Sequence, residues 1–157
     1  KNRKNFLDLG AAPGGWTQIA VEKMKYGKIL SVDKIKMYPI KNSRFILGDF
    51  NDQNIRNSII NYFKINIDII VSDMAENTTG NKNLDSFNTG QLCLNAMEFS
   101  KNYLKSEGVF VSKIFMGSIF KEILENAKKI FEFVKVYKPL ASRKKSKENY
   151  IICKNLK

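Results

Sequence analysis

The sequence predicts an α/β fold built on a doubly wound, mostly parallel sheet. Three observations carry that prediction. Short apolar runs rich in Ile, Val and Phe alternate along the chain with segments of helical period. The run Ile67–Ser72 is almost continuously apolar, as a strand buried on both faces must be. The first apolar run also breaks into a glycine-rich turn that opens a helix, the unit that faces ligands at the carboxyl edge of such sheets.

Strands are expected, in order, over Phe6–Leu9, Lys28–Val32, Arg44–Leu47, Ile67–Ser72, Val109–Ile114, Phe133–Tyr137 and Tyr150–Cys153. Helices are expected over Thr17–Met24, Asn51–Phe63, Thr89–Leu104 and Ser118–Ile130. The last two strands are joined by a basic loop with no helix, so that pair is antiparallel. Seven strands with a terminal antiparallel strand, and helices on both faces, describe the Rossmann-like methyltransferase fold. Ala75–Asp85 is a polar loop after the fourth strand and a candidate lip for an active site. No repeat or low-complexity linker divides the 157 residues, which form one domain spanning residues 1–157. The first strand begins near the fifth residue and no Met precedes it, so a short upstream segment is expected.

Composition removes whole classes of chemistry. With no histidine, Ser-His-Asp and Cys-His catalysis and imidazole metal ligands are excluded. Proton transfer falls to Lys, Asp, Glu or Tyr. Cys93 and Cys153 stand far apart without a C-x-x-C spacing, which points to a reduced cytoplasmic setting and no metal. An organellar matrix is the equivalent setting in a eukaryotic source. No apolar run approaches the roughly 18 residues that span a bilayer. Lys and Arg outnumber Asp and Glu 27 to 15, a net charge of +12. That excess suits a polyanionic partner, RNA or DNA before a membrane surface. A compositional bias toward Lys, Asn and Ile on a solvated surface is the competing explanation.

The most informative stretch is Asn5–Trp16, NFLDLGAAPGGW. Its turn reads G-x-x-x-G-G from Gly10, stiffened by Pro13, and no Gly-Lys-Ser/Thr follows, so it is not a phosphate-cradling loop. It suits an adenosine cofactor with a cationic or neutral tail, S-adenosylmethionine above all. Acids then recur at strand ends: Asp8, Asp33, Asp49 and Asp73. Asp33 follows Gly10 by 23 residues, close to the spacing of a ribose-binding acid. Asp49 is placed to accept from an adenine amino group, with Phe50 or Met37 against the ring. Any one of these alone reads as a capping or solvated Asp; three after successive strands reverse that reading. Asp73 ends the fourth strand and Lys113 ends the fifth. A lysine inside an apolar strand is costly unless paired, so the two are expected to meet, with Glu148 completing the group. Lys135, Lys138, Arg143, Lys144, Lys145 and Lys147 form a basic region beside Glu148 that suits RNA phosphates.

These segments, NFLDLGAAPGGW, LGDF, VSDMA, VSKIFMG and KPLASRKKSKENYII, together with Asp33 continuing through Met37-Tyr38-Pro39-Ile40, resemble the FtsJ/RrmJ family in the right order over essentially the whole chain. Members of that family are S-adenosylmethionine-dependent 2′-O-ribose methyltransferases of large-subunit ribosomal RNA. The resemblance implies a Lys–Asp–Lys–Glu catalytic set whose last three members fall on Asp73, Lys113 and Glu148, with Lys113 as general base. The first lysine belongs upstream of the glycine turn; Lys1 and Lys4 stand too close to it. Gly14, Trp16, Asp33, Asp49 and Asp73 are the implied cofactor contacts, and a uridine is the implied target. Glu76 stands where the family shows a proline. The alternatives are a tRNA ribose methyltransferase of the same superfamily, a small-molecule or protein methyltransferase, and a non-catalytic RNA-binding module. SDMA after the fourth strand favours the ribosomal branch. A monomer is expected.

Overall fold

A computed structural model describes residues 3–140 and 148–157. The elements run β1 (Lys4–Leu9), α1 (Gly15–Lys23), β2 (Gly27–Asp33), β3 (Arg44–Leu47), α2 (Gln53–Phe63), β4 (Ile67–Ser72), α3 (Lys82–Tyr103), β5 (Leu104–Phe115), α4 (Phe120–Ile130), β6 (Phe131–Tyr137) and β7 (Glu148–Leu156). They form one seven-stranded sheet ordered β3-β2-β1-β4-β5-β7-β6. The expected α/β sheet is therefore present, parallel through β3, β2, β1, β4 and β5.

The antiparallel strand differs in one respect from the simplest expectation. β7 is last in the chain but lies inside the sheet, antiparallel to both β5 and β6. β6 forms the edge instead. Its pattern explains why: Glu132, Phe133, Lys135 and Tyr137 are exposed, whereas Ile151 and Cys153 of β7 are fully buried. An edge strand tolerates charge that an inner strand does not.

The sheet separates two cores. On one face α2, α3 and α4 bury Ile59, Phe63, Met97, Phe99, Ile123 and Ala127 against Leu7, Leu30, Ile70, Phe110 and Ile114. On the other, α1 packs Trp16, Ala20 and Val21 against Phe6, Ile29 and Val71. β1 and β4 carry buried side chains toward both helical layers, which accounts for their near-continuous hydrophobicity.

Two element starts, those of α3 and β5, differ most from expectation. α3 begins at Lys82 rather than Thr89, and its first two turns are too polar to show a helical apolar stripe. Asn81 caps it, its Oδ1 accepting from Asn83 N and Leu84 N at 3.1 and 3.2 Å. Asp85 therefore belongs to the helix, and the lip is residues 73–81. β5 begins at Leu104 directly after α3, with a register irregularity before Val109. Both cysteines are free and buried. No helix among the described residues is long and apolar enough to cross a membrane.

Candidate active site

Chain order reverses between β1 and β4, and there the carboxyl edge of the sheet opens a crevice. The glycine turn forms its floor. Gly10 has φ +71°, and a Cβ there would lie 2.7 Å from Met74 N and 2.8 Å from Met74 Cα. The backbone leaving β4 passes over the turn so closely that only glycine fits. Asp73 N donates to Leu9 O across that contact, and Gly10 N donates to Val32 O to tie the turn to β2, both at 2.9 Å.

A cavity of about 400 Å³ lies above this turn, lined among others by Gly10, Asp33, Asp49, Phe50, Asp73 and Leu92. Five of these are residues expected from sequence to hold a cofactor. Asp33 also ties the turn to β2, its Oδ2 accepting from Ala12 N and its Oδ1 from Ile35 N, each at 2.9 Å. Each carboxylate oxygen retains acceptor capacity for a ribose hydroxyl. Asp49 Oδ1 accepts from Asn51 N at 2.8 Å, so this acid caps its loop and faces the cavity as well. Phe50 is a wall, not a stacking shelf. It is only 3% exposed, edge-on to Phe99 at 5.4 Å and covered by the Arg56 guanidinium at 4.5 Å.

Gly14 and Trp16 do not line this cavity. Gly14 is the left-handed cap of α1, and its missing Cβ makes room for Ile40 and Met37. Met37 thus packs beside Gly14 and is not among the residues lining the larger cavity. Trp16 lines an adjoining cleft of about 290 Å³, with Pro13, Gly15 and Ile19, that shares Ala12 and Asp73 with the larger cavity. Across the mouth of the larger cavity, Lys34 Nζ meets Glu76 Oε2 at 3.5 Å. The residue that departs from the family's lip sequence therefore makes an ion pair over the opening.

Asp73 marks the point where the two clefts meet. Ser72 lies opposite Ser112, which sets the next residues, Asp73 and Lys113, side by side. Lys113 Nζ lies 3.2 Å from Asp73 Oδ1 and 3.8 Å from Glu148 Oε1. Its side chain is only 16% exposed. β7 supplies the second acid, since Lys113 pairs with Tyr150 and Phe115 with Glu148. The expected Asp73–Lys113–Glu148 group is thus assembled in space.

Tyr150 is the member that sequence reasoning missed. Its hydroxyl donates to Asp73 Oδ1 at 3.1 Å and approaches Glu148 Oε1 at 3.4 Å, while its ring meets Trp16 edge-on at 6.1 Å. The signal was available: Tyr150 is two residues from Glu148 on a strand and so faces the same side. Burial, then the Asp73 carboxylate, pushes the phenol well above its ordinary value. Tyr150 is therefore a hydrogen-bond donor, and of the histidine-free choices of base it is the one the site disfavours.

The donor set fits an adenosyl cofactor. Carboxylates at the ends of β2, β3 and β4 offer acceptors to ribose hydroxyls, an adenine amino group and cations, and would repel a pyrophosphate. Of the basic residues, Lys135 and Lys138 are exposed at the carboxyl end of β6. Lys135 lies opposite Ile152 and Tyr137 opposite Tyr150, so Lys135 shares the face of Tyr150. Arg143, Lys144, Lys145 and Lys147 lie outside the described residues.

A family model described as FtsJ-like methyltransferase matches residues 1–156. The chain is 50% identical over 157 residues to a ribosomal RNA large subunit methyltransferase E of Pelagibacter ubique, covering all of this chain and 77% of that protein. It is 43% identical to the protein of the same name from Legionella pneumophila, covering 94% of this chain and 73% of that one. A crystal structure of a ribosomal RNA methyltransferase from Plasmodium falciparum superposes with a TM-score of 0.88 at 33% identity, covering 99% of this chain and 88% of that one. Fold, cavity and sequence agree, and the chain belongs to the FtsJ-like methyltransferase family.

Proposed function

We propose that this methyltransferase acts on a ribose 2′-hydroxyl of large-subunit ribosomal RNA, with S-adenosylmethionine as cofactor and Lys113 as general base. The observation that carries the reading is Lys113 Nζ, held between Asp73 and Glu148 where the two clefts meet. When bound, the cofactor supplies an electrophilic methyl group on a sulfonium. Asp33 and Asp49 would hold its nucleoside, and the glycine turn with Trp16 would complete the cofactor site. Lys113 in its amine form takes the ribose proton, and a positioned base of this kind contributes about 10²–10⁴-fold. Asp73 and Glu148 aim Nζ, and the Tyr150 hydroxyl holds Asp73 in place. Positioning of the two reactants supplies much of the remaining rate.

Lys135 and Lys138, with the basic run that follows, contact RNA phosphates. The names of the curated relatives favour ribosomal RNA over tRNA. The protein acts as a monomer in the cytoplasm, on a uridine. Transfer of labelled methyl to large ribosomal subunits and, in parallel, to tRNA tests the substrate. Lys113→Ala is expected to abolish transfer while leaving cofactor affinity within a few-fold. Surviving turnover in that variant would remove Lys113 as base.

A further inference from the structure

On α3, Asn88, Gln91, Leu92 and Asn95 fall at i, i+3, i+4 and i+7, so they share one face of the helix. With Asn51 of the loop after β3 and Glu76, Asn77 and Thr79 of the lip, they enclose a further cleft of about 420 Å³. It shares Glu76, Asn77 and Leu92 with the cavity above the glycine turn, so the two stand on either side of one wall. Both rims of the cleft are tied down. Asn95 Nδ2 donates to Asn51 Oδ1 at 3.0 Å, which joins the loop to the helix. Thr79 N and Oγ1 donate to Asp85 Oδ1 at 2.9 and 2.8 Å, which joins the lip to the first turn of α3.

The cleft differs chemically from the surface around it. Five of its eight lining residues are carboxamides. Among the described residues no Lys or Arg lines it, in a chain that has 27 of them. A bias toward Asn and Lys would scatter amides among lysines on a solvated helix face. It does not account for a stripe without lysine that faces further amides across a cleft. Among the described residues, the side chains of Asn77, Asn88 and Gln91 have no hydrogen-bond partner. Each therefore offers a C=O acceptor and two N–H donors. Leu92, only 7% exposed, supplies an apolar floor. Glu76 adds acceptors alone, and the cation it meets, Lys34, lines the cofactor cavity and not this cleft.

A phosphate would find no cation here and would meet the Glu76 carboxylate, and an apolar ligand would strand the free amides. A planar base with donors and acceptors along its edge suits the lining, because a carboxamide can pair with such an edge through two hydrogen bonds. Single-stranded RNA offers its bases in this way, splayed out and read on their edges. We propose that the cleft is a base-reading subsite that takes one unpaired nucleotide of the RNA substrate and selects a base with an exocyclic amino group. Glu76 can only accept, and a carboxamide matches the adjacent donor and acceptor of adenine. The cleft includes neither Asp73 nor Lys113, so the nucleotide it reads is not the one methylated. An extended peptide could pair with the same amides, but a net charge of +12 favours RNA. The subsite rests on RNA being the substrate, as proposed above.

The test is binding of short adenylate, cytidylate and uridylate oligoribonucleotides of equal length to the whole chain, followed by fluorescence anisotropy. Saturating S-adenosylhomocysteine keeps adenine out of the cofactor cavity. The native protein is expected to prefer adenylate and cytidylate to uridylate by on the order of tenfold. Asn88→Ala/Gln91→Ala changes two side chains that do not line the cofactor cavity, and Ala is the better helix former, so the fold is kept. That variant is expected to bring the three oligomers within about twofold of one another, at unchanged S-adenosylhomocysteine affinity. Glu76→Gln, which adds N–H donors in the same shape, is expected to narrow the preference by raising uridylate affinity. Equal affinities in the native protein, or an undiminished preference in Asn88→Ala/Gln91→Ala, overturns the proposal. If methyl transfer to large ribosomal subunits accompanies either of those results, only the subsite falls. A native protein that binds none of the oligomers and methylates no RNA refutes the RNA substrate itself and the subsite with it.

Discussion

Replacing Gly10 with Ala tests the contact on which the site is built. Two costs add. The backbone there has φ +71°, which costs an L-residue with a Cβ about 1–2 kcal/mol. The new methyl would also stand 2.7–2.9 Å from Met74 N, Met74 Cα and Asp73 C, all backbone atoms that cannot rotate away. The turn and the strand end must therefore separate by more than half an ångström, an overpacking cost of about 1–3 kcal/mol. Together these predict about 2–5 kcal/mol of destabilisation in urea unfolding. Activity should suffer more than stability, because the atoms that move include Asp73, and a displacement of about 1 Å costs on the order of 100-fold in rate. Gly15→Ala is the matched control. A Cβ there meets nothing within 4 Å, and the position opens α1, so its stability should change by less than about 1 kcal/mol. Single-turnover methyl transfer on large ribosomal subunits would be measured for both variants. A Gly10→Ala enzyme as stable as Gly15→Ala and as active as the native protein would show that the turn does not set the place of Asp73.

Other outcomes follow from the same geometry. The double variant Lys135→Glu/Lys138→Glu should weaken RNA binding and flatten the dependence of log affinity on log salt, at unchanged cofactor affinity; an unaltered slope would remove these lysines from the interface. Asp8, whose carboxyl is buried in β1, links folding to pH in the ligand-free protein. Its pKa is about 7 when folded and near 3.8 when unfolded, so between those values the native state holds a proton that the unfolded chain has lost. Stability should therefore fall as pH rises from about 4 to about 7, by at most about 4 kcal/mol. Asp8→Asn should lack that falling limb when urea midpoints are compared at pH 5 and 7.5.

Several features of this protein are legible from local chemistry alone. The alternation of strand and helix periods, the glycine turn and the acids at Asp33, Asp49 and Asp73 all follow from residues near one another in the chain. So did the expected meeting of Asp73 and Lys113, because adjacent parallel strands that end together bring their last residues side by side. Local patterns failed where the governing contact was capping or polar. The start of α3 depends on the Asn81 side chain, and Asp85 reads as loop until that cap is known. Phe50 and Met37 looked equally able to face a cofactor; the fold puts Phe50 in the cavity wall, packed against Phe99 and Arg56, and Met37 beside Gly14.

By itself the sequence located the ends of the parallel strands at the cofactor edge to within a residue, because alternation and turn chemistry act within a few residues. It thereby pointed to the cofactor class and put Lys113 at a strand end beside Asp73. Only the tertiary structure decided which strand ends are neighbours. The insertion of β7 between β5 and β6 brings Glu148 and Tyr150 to Lys113 from far along the chain. The same packing buries Asp8 with one oxygen unpartnered behind the glycine turn. Pairing order is a global minimum of burial and hydrogen bonding across the whole sheet, and no local stretch of residues contains it.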